Sequence, residues 1–316
     1  MTWIRRLIRA MLGRPPTPGR QPTPARRARP TPASRTLKPQ KPTVAPGSLI
    51  GSGGQGTVLD VPGHPDLAMK IFTQPIERAA TAFDLVRRRG QEVIRALGTD
   101  DFVLCFPSAA RGKGDQLTGY VMPKVPPEFY FDVVTHGGTT RRKERALSWA
   151  VAQVQAFTVP FTVTDSERLE LVKLIARWLR TMHDHDLVYG DLSWANLAFS
   201  INQKPRLAVF DFDQTRVVGQ RSFTGMRPAH TVDWDDPLAP DIPVNPDTDR
   251  YKFALLAYRM LVSKDLHSLI DTDAVGDTVA ALDAGQVARV RLLWLRASGP
   301  WGTRPSLSEW VDALGA

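Results

Sequence analysis

Residues 188–196 read VYGDLSWAN, and residues 209–215 read VFDFDQT. Each stretch places an aspartate directly after a short apolar run typical of a β-strand, and in the first an asparagine follows the aspartate by five residues. An Asp in such a loop can accept a hydroxyl proton, an Asn can ligate a metal ion, and an Asp at a strand end can hold Mg²⁺. Because Asp and Asn also dominate ordinary turns, the interpretation of Asp191, Asn196 and Asp211 depends on the rest of the chain.

A glycine-rich stretch precedes this pair of motifs. Residues 50–61, IGSGGQGTVLDV, contain Gly51, Gly53 and Gly56. Glycines let a hairpin approach a polyphosphate closely and direct backbone N–H groups at it. The pattern lacks the long following helix of a dinucleotide-binding turn and the GK[ST] ending of a P-loop. The next strand-like run, LAMKIF, carries Lys70, which is either an ordinary surface lysine or a group that holds the phosphates of a nucleotide.

The coarse pattern predicts an α+β protein. Short strand-like runs with glycine turns occupy about 48–72 and 102–125, with a helix at about 76–97 between them. From residue 166 onward the apolar residues recur at mostly helical spacing. A small β-rich part followed by a larger helical part predicts two lobes, and ligands usually bind in the cleft between such lobes.

The bulk composition is that of a soluble globular protein. The 316 residues suffice for two lobes with a core, and 42% are hydrophobic and 23% charged. The single cysteine, Cys105, excludes an internal disulfide framework and fits a reducing cytoplasm. No apolar run approaches the roughly 18 residues needed to span a bilayer.

The positive charge of the chain is concentrated at its start. Of the 41 Lys and Arg residues, eleven lie in residues 1–45, which hold no Asp or Glu, so the remainder carries 30 basic against 32 acidic groups. This balance argues against a nucleic-acid-binding core. Residues 1–13 have the spacing of a short basic amphipathic helix, which would either dock on a partner protein or on the inner face of a membrane, or be a frayed tail without such a role. Residues 13–46, rich in Pro, Thr and Arg, predict a disordered linker.

The order of these features resembles the protein-kinase-like superfamily over roughly residues 48–312: glycine hairpin, strand lysine, apolar hinge, long helix, Asp…Asn loop, then Asp. The resemblance implies a bilobal kinase-like fold and the use of ATP and Mg²⁺. It divides the chain into the basic start and linker (1–46), an N-lobe (47–125) and a C-lobe (126–316).

The resemblance also assigns roles to individual residues. It implies that the nucleotide site is formed by Gly51, Gly53, Gly56, Val58, Ala68, Lys70, Met122 as gatekeeper, and Lys124 and Val125 as hinge backbone. The catalytic residues would be Asp191, Lys70 and Asn196, with Asn196 and Asp211 as metal ligands. As the helix acid that pairs with Lys70, Glu92 is the first choice and Asp84 the second.

The resemblance also covers two residues in the last quarter of the chain. In DTDRYKFALL, Asp249 would be a buried aspartate that bonds the backbone of the catalytic loop. In TRPSLSEW, Arg304 would have a structural role, and the sequence leaves its acidic partner unassigned.

The sequence departs from the family at several positions. The H-R-D triplet reads Tyr189-Gly190-Asp191, Ser193 stands where Ser/Thr kinases have a lysine, and D-F-G reads D-F-D. A solvated turn is the alternative for Asp213. In these respects the chain is similar to compact bacterial kinase-like proteins, including those associated with tellurite-resistance operons.

Three functions remain open from the sequence. The first is a bacterial Ser/Thr protein kinase that transfers the γ-phosphoryl group of ATP to a protein hydroxyl. The second is an inactive pseudokinase that serves as a nucleotide-binding scaffold. The third is a small-molecule kinase. The identity of a protein substrate and the oligomeric state do not follow from the residues.

Overall fold

The computed structural model describes residues 47–134, 138–151, 160–225, 233–238, 243–276 and 279–316. The amphipathic helix predicted at residues 1–13 and the linker predicted at 13–46 lie outside these residues. Every helix in the described part of the chain is too short or too polar to cross a membrane.

The described residues form twelve strands and five α-helices. The strands are β1 (Leu49–Gly53), β2 (Gly56–Val61), β3 (His64–Ile76), β4 (Phe102–Leu104), β5 (Ala109–Lys113), β6 (Gln116–Pro123), β7 (Tyr130–Val134), β8 (Thr140–Glu144), β9 (Leu187–Val188), β10 (Leu197–Ser200), β11 (Arg206–Val209) and β12 (Arg216–Val217). The helices are α1 (Ala80–Leu97), α2 (Asp165–Asp184), α3 (Pro246–Tyr258), α4 (Ala284–Ala297) and α5 (Leu307–Leu314).

A five-stranded antiparallel sheet forms the N-terminal lobe, with strand order β1-β2-β3-β6-β5. Strand β3 lies at its centre, so both of its edges are paired with neighbouring strands. Lys70 lies opposite Val58 of β2 and Tyr120 of β6. The central position fixes the lysine in the register of the sheet, and its side chain lies on a buried face.

Helix α1 buries Phe83, Val86, Gly90 and Val93, which recur at helical spacing, and Phe83 reaches the sheet at Tyr120. The helix runs without interruption through Gly90, although glycine is a poor helix former. A Cβ added at Gly90 would lie 2.5 Å from Cδ1 of Phe106. Glycine is therefore required here because the Phe106 ring packs directly on the helix backbone.

Strand β4 does not join the five-stranded sheet. It pairs in parallel with β11, in a separate three-stranded sheet of order β10-β11-β4. The sequence grouped residues 102–125 into one β-rich lobe, so this pairing was not anticipated. The pairing joins residues 102–105 to the strand that ends just before Asp211. It is extended by the backbone N–H of Cys105, which donates to the carbonyl of Val209.

The C-terminal lobe is helical and packs around aromatic side chains. Helix α2 begins with a capping box in which Thr164 and Glu167 exchange hydrogen bonds, and it contacts α1, α3 and α5. Residues 251–258 of α3 are all buried. Three tryptophans with no or almost no exposed surface, Trp178, Trp294 and Trp310, fill the space between the helices. The predicted α+β arrangement, a β-rich lobe followed by a helical lobe, is confirmed.

Candidate active site

Lys70 of β3 meets two carboxylates. Its Nζ lies 2.7 Å from Oδ1 of Asp211 and 2.5 Å from Oδ2 of Asp213, and only 6% of the lysine is exposed. Burial alone would lower the pKa of the ammonium group, but the charges of Asp213 and Asp211 outweigh it and raise the pKa above its usual value. The lysine is therefore charged, and it joins the sheet of the N-lobe to the segment after β11.

Asp213 is a buried member of this cluster, with 1% of its surface exposed. Its Oδ1 accepts a hydrogen bond of 2.8 Å from the hydroxyl of Tyr120. Burial raises the pKa of Asp213 to about 6; Asp211 adds to that rise, and Lys70 opposes it. The alternative of a solvated turn is wrong, because the short 3₁₀ helix Phe212–Gln214 turns this carboxylate inward.

The predicted helix partners of Lys70 are also wrong. Glu92 is exposed, and it lies nine residues after Phe83, which places it on the opposite side of an α-helix with 3.6 residues per turn. Phe83 faces the sheet, with its ring 6.2 Å from that of Tyr120. The second choice, Asp84, pairs instead with Arg87 and Arg88 of its own helix. Asp213 supplies the carboxylate that was expected from α1.

Asp249 of α3 binds the backbone of the predicted catalytic loop, residues 189–196. The two carboxylate oxygens of Asp249 accept hydrogen bonds of 2.8 Å from the N–H groups of Tyr189 and Gly190. Nε2 of His183 lies 3.2 Å from Oδ2 of the same carboxylate. Asp249 is fully buried, so the prediction that it bonds the loop from the interior is confirmed.

Asp191 and Asn196 lie together in this loop. Nδ2 of Asn196 donates to the carbonyl oxygen of Asp191 at 2.7 Å and to its Oδ2 at 3.0 Å. Burial raises the pKa of Asp191 to about 6, Lys252 lowers it, and Asp211 adds to the rise. The carboxylate is therefore ionised above neutral pH, yet basic enough to accept a proton from a hydroxyl group.

Asp211 has a left-handed backbone conformation, with φ 57° and ψ 60°. Such a conformation is strained in a residue with a side chain, and strain of this kind concentrates at functional sites. The aromatic neighbours hold it in place: the Phe212 ring stacks on Phe106 at 3.9 Å and meets Tyr189 edge-on at 5.4 Å. The Tyr189 hydroxyl also donates to the carbonyl of Phe210 at 2.6 Å. Tyr189 thus couples the loop to the strand end that carries Asp211.

The residues present fit a magnesium ion shared with phosphate. Because Nδ2 of Asn196 is the atom that donates to Asp191, its Oδ1 remains available as a ligand. Asp211 contacts Lys70 through Oδ1, which leaves its Oδ2. The described residues contain no group of three or more His, Cys, Asp or Glu side chains that could hold a metal ion. Mg²⁺ at nucleotide sites usually takes only one or two protein ligands beside phosphate and water, so a set of two suffices.

The glycine hairpin lies between β1 and β2, where Gly53 is paired with Gly56. A Cβ at Gly56 would lie 2.2 Å from the carbonyl oxygen of Ile71, so this glycine serves the close packing of the sheet. At Gly51 and Gly53 an added Cβ would meet nothing within 4 Å. These two glycines face open space, which is what a loop that covers a ligand requires.

The predicted hinge is only partly available to a base. The backbone N–H of Lys124 donates to the carbonyl of Asp66 at 2.8 Å, and its side chain pairs with Asp60. The N–H of Lys124 is therefore already used. The N–H of Val125 has no acceptor among the described residues, so it is the hinge donor left for an adenine. Met122, the predicted gatekeeper, lies opposite Ala68 in the sheet, so these two predicted nucleotide-site residues are cross-strand neighbours.

A cavity of about 770 Å³ opens beside the same hinge. Its walls include Phe102 and Tyr130, but not Lys70, Asp191 or Asp211. It is therefore distinct from the cluster of charged groups described above.

Arg304 acquires the acidic partners that the sequence left unassigned. Its Nη1 contacts Asp236 and lies 3.1 Å from Oδ2 of Asp247, and its Nε donates to the carbonyl of Ala297. The arginine is buried, so its predicted structural role is supported by these contacts.

Comparisons with known proteins give limited similarity. No family model matches the chain. Human "Serine/threonine-protein kinase 31" is 29% identical over 105 residues, which cover 33% of this chain and 10% of the human protein, so the similarity spans about a tenth of that relative. The kinase domain of PknI from Mycobacterium tuberculosis is 20% identical, with 84% of this chain and 93% of that chain covered and a TM-score of 0.47.

The parts of the candidate site come together within the α+β fold of the described residues. The glycine hairpin, the lysine of the central strand, the Asp…Asn loop and Asp211 all belong to one compact unit, residues 44–316. Lys70, Asp191, Asn196 and Asp211 were predicted as site residues. Asp213 and Lys252 were not, because their burial arises from tertiary packing rather than from a local pattern.

Proposed function

We propose that the chain is an ATP- and Mg²⁺-dependent phosphotransferase that transfers the γ-phosphoryl group to a Ser or Thr hydroxyl of a protein. The observation that carries the proposal is the direct contact of Lys70 with Asp211, beside the bonded pair of Asp191 and Asn196. A buried cation, two metal-ligating side chains and a basic carboxylate are the parts that phosphoryl transfer needs.

Each group has a distinct role in the proposed reaction. Lys70 binds the α- and β-phosphates, and Asp211 and Asn196 hold Mg²⁺, which supplies neutralisation of the phosphate charge. Asp191 orients the acceptor hydroxyl and takes its proton. The N–H groups of the glycine hairpin and of Val125 bind the phosphates and the base. Catalysis comes from positioning and charge neutralisation rather than from a covalent intermediate.

A protein hydroxyl is proposed because of the similarity to part of a human protein named as a serine/threonine-protein kinase. Similarity to the bacterial proteins of tellurite-resistance operons remains a prediction. We also propose that the protein is located in the cytoplasm and that residues 1–13 dock on a membrane or on a partner protein.

The test is transfer of label from γ-labelled ATP with Mg²⁺ by the full chain, with a bacterial lysate as acceptor. We compare Asp191→Ala and Asp211→Ala with Asp132→Ala, which changes an exposed aspartate remote from the site. The proposal expects labelled protein from the wild type and Asp132→Ala only. Equal labelling by all four proteins would refute it. Label found only in small molecules would favour the small-molecule kinase, and Mg-dependent ATP binding without transfer would favour the scaffold.

A further inference from the structure

A second buried lysine lies close to the proposed site. Lys252 belongs to α3, and 5% of its surface is exposed. Its neighbours along the chain, Tyr251 and Phe253, are buried as well. Its ammonium group makes no hydrogen bond or ion pair with any residue that the structure describes. Because a charged side chain is costly to bury unless opposite charge lies near it, the charges around Lys252 indicate what the lysine does.

The fold places Lys252 beside Asp191. It lies three residues after Asp249, on the same face of α3, and Asp249 grips the N–H groups of Tyr189 and Gly190 at 2.8 Å. Side chains of an α-helix lean toward its N-terminus, so Lys252 leans toward the turn that holds the catalytic loop. Lys252 also gives the largest charge effect on Asp191: it lowers the pKa of that carboxyl, and does so more than Lys70.

The loop itself supplies no positive charge at this point. Residues 189–196, YGDLSWAN, contain neither lysine nor arginine. The other charged groups that act on Asp191 are Asp211, which is negative, and Lys70, which is engaged by two carboxylates. The guanidinium of Arg216 lies near Gly190, but it bonds Gln214 and is not among the main charge effects on Asp191. Negative charge that develops between the acceptor oxygen and the γ-phosphoryl group would therefore be compensated on the acceptor side chiefly by Lys252.

We propose that Lys252 is a catalytic residue, whose ammonium group contacts the γ-phosphoryl oxygens beside Asp191 during transfer. This inference rests on the proposed function. In the step, the bond between the acceptor oxygen and the γ-phosphorus forms, and the bond from that phosphorus to the ADP oxygen breaks. The hydroxyl proton passes to the carboxylate of Asp191. Lys252 keeps its protons and stabilises the oxygens that carry the charge.

The first test labels lysines that lie near the terminal phosphate. The probe is an ATP derivative whose γ-phosphate forms a mixed anhydride with a biotin carboxylate. A lysine amine attacks the acyl carbon, an amide forms, the carbon–oxygen bond breaks and ATP leaves. Peptide mass spectrometry of the full chain should find Lys70 and Lys252 labelled, with both labels removed by excess ATP. The exposed Lys113 should not respond to ATP.

The outcomes separate the two proposals. Labelling of Lys70 alone, with competition by ATP, would leave the nucleotide site intact and overturn the role of Lys252. Labelling of neither lysine in competition with ATP would refute the nucleotide site itself. Because this measurement uses the wild-type chain, it does not depend on whether a variant folds.

The second test replaces the charge. Lys252→Met should lower kcat by about 100-fold, as removal of a charge-stabilising donor does elsewhere, while the Kd for Mg-ATP changes by less than about threefold. Lys252→Arg should retain more activity than the methionine variant, and Lys113→Met is the matched surface control. A Lys252→Met protein with the kcat of the wild type would overturn the inference.

Discussion

Asp213→Asn separates the electrostatic role of the buried carboxylate from its shape. Asparagine keeps the size of the side chain and an oxygen that can accept from the Tyr120 hydroxyl, but it removes the negative charge beside Lys70. Lys70 then retains Asp211 as its only carboxylate partner in the described part of the chain. We expect a misplaced lysine and a fall in phosphotransfer of at least about tenfold.

The pKa of Asp213 determines the effect on stability. Folding raises this pKa from 3.8 to about 6, so the folded chain binds the proton more tightly than the unfolded chain. Its contribution to the free energy of unfolding is fully present below pH 3.8 and is lost as the pH rises through 6. A shift of this size corresponds to about 3 kcal/mol in total, of which about half is lost between pH 5 and pH 7.5.

The assay is urea unfolding followed by tryptophan fluorescence at pH 7.5 and pH 5. The free energy of unfolding of the wild type relative to Asp213→Asn should be higher by about 1 kcal/mol at the lower pH. Asp132→Asn, at an exposed position, controls for the general effect of removing a charge. If the difference between wild type and Asp213→Asn is the same at both pH values, the carboxylate does not titrate as a buried member of the lysine cluster, and the reasoning fails.

Three further predictions follow from the same contacts. Glu92→Ala should leave phosphotransfer within about twofold of the wild type, because the side chain is exposed and surface changes away from a site have small effects; a loss of tenfold or more in the labelling assay would restore Glu92 as the partner of Lys70. Gly90→Ala should lower the free energy of unfolding by about 1–3 kcal/mol, measured by urea titration, since the new methyl group meets Phe106 at 2.5 Å; unchanged stability would contradict the tight packing. The rate of transfer should fall below a pH of about 6, because protonated Asp191 cannot accept the hydroxyl proton; a flat rate from pH 7.5 to 5 would exclude it as the base.

Local patterns were enough to predict the order of the parts. Lys70 alternates with apolar residues in a strand, and Asp191 and Asp211 follow strand-like runs. Such features depend on neighbours a few residues away, so the sequence alone carries them. The buried contact of Asp249 with the loop was reached through the family resemblance, and the structure confirms it.

Long-range packing accounts for what the sequence did not predict. The rotation of α1 about its axis is set by the contact of Phe83 and Gly90 with the sheet and Phe106, and that rotation turns Glu92 to solvent. The pairing of β4 with β11 joins segments about a hundred residues apart. One local feature pointed to Lys252: it is a lysine inside the largely apolar stretch YKFALLAY, and residues 251–258 are all buried in the structure.

The central claim is that the cluster around Lys70 and Asp191 transfers a phosphoryl group. A single-turnover quench measurement tests it most directly, with γ-labelled Mg-ATP bound to the full chain before the protein acceptor is added. We predict transfer by the wild type, and transfer slower by about 10²–10⁴-fold in Asp191→Asn, with Mg-ATP affinity kept within about threefold. Equal transfer by the two proteins, or none by the wild type while Mg-ATP is bound, would contradict the account.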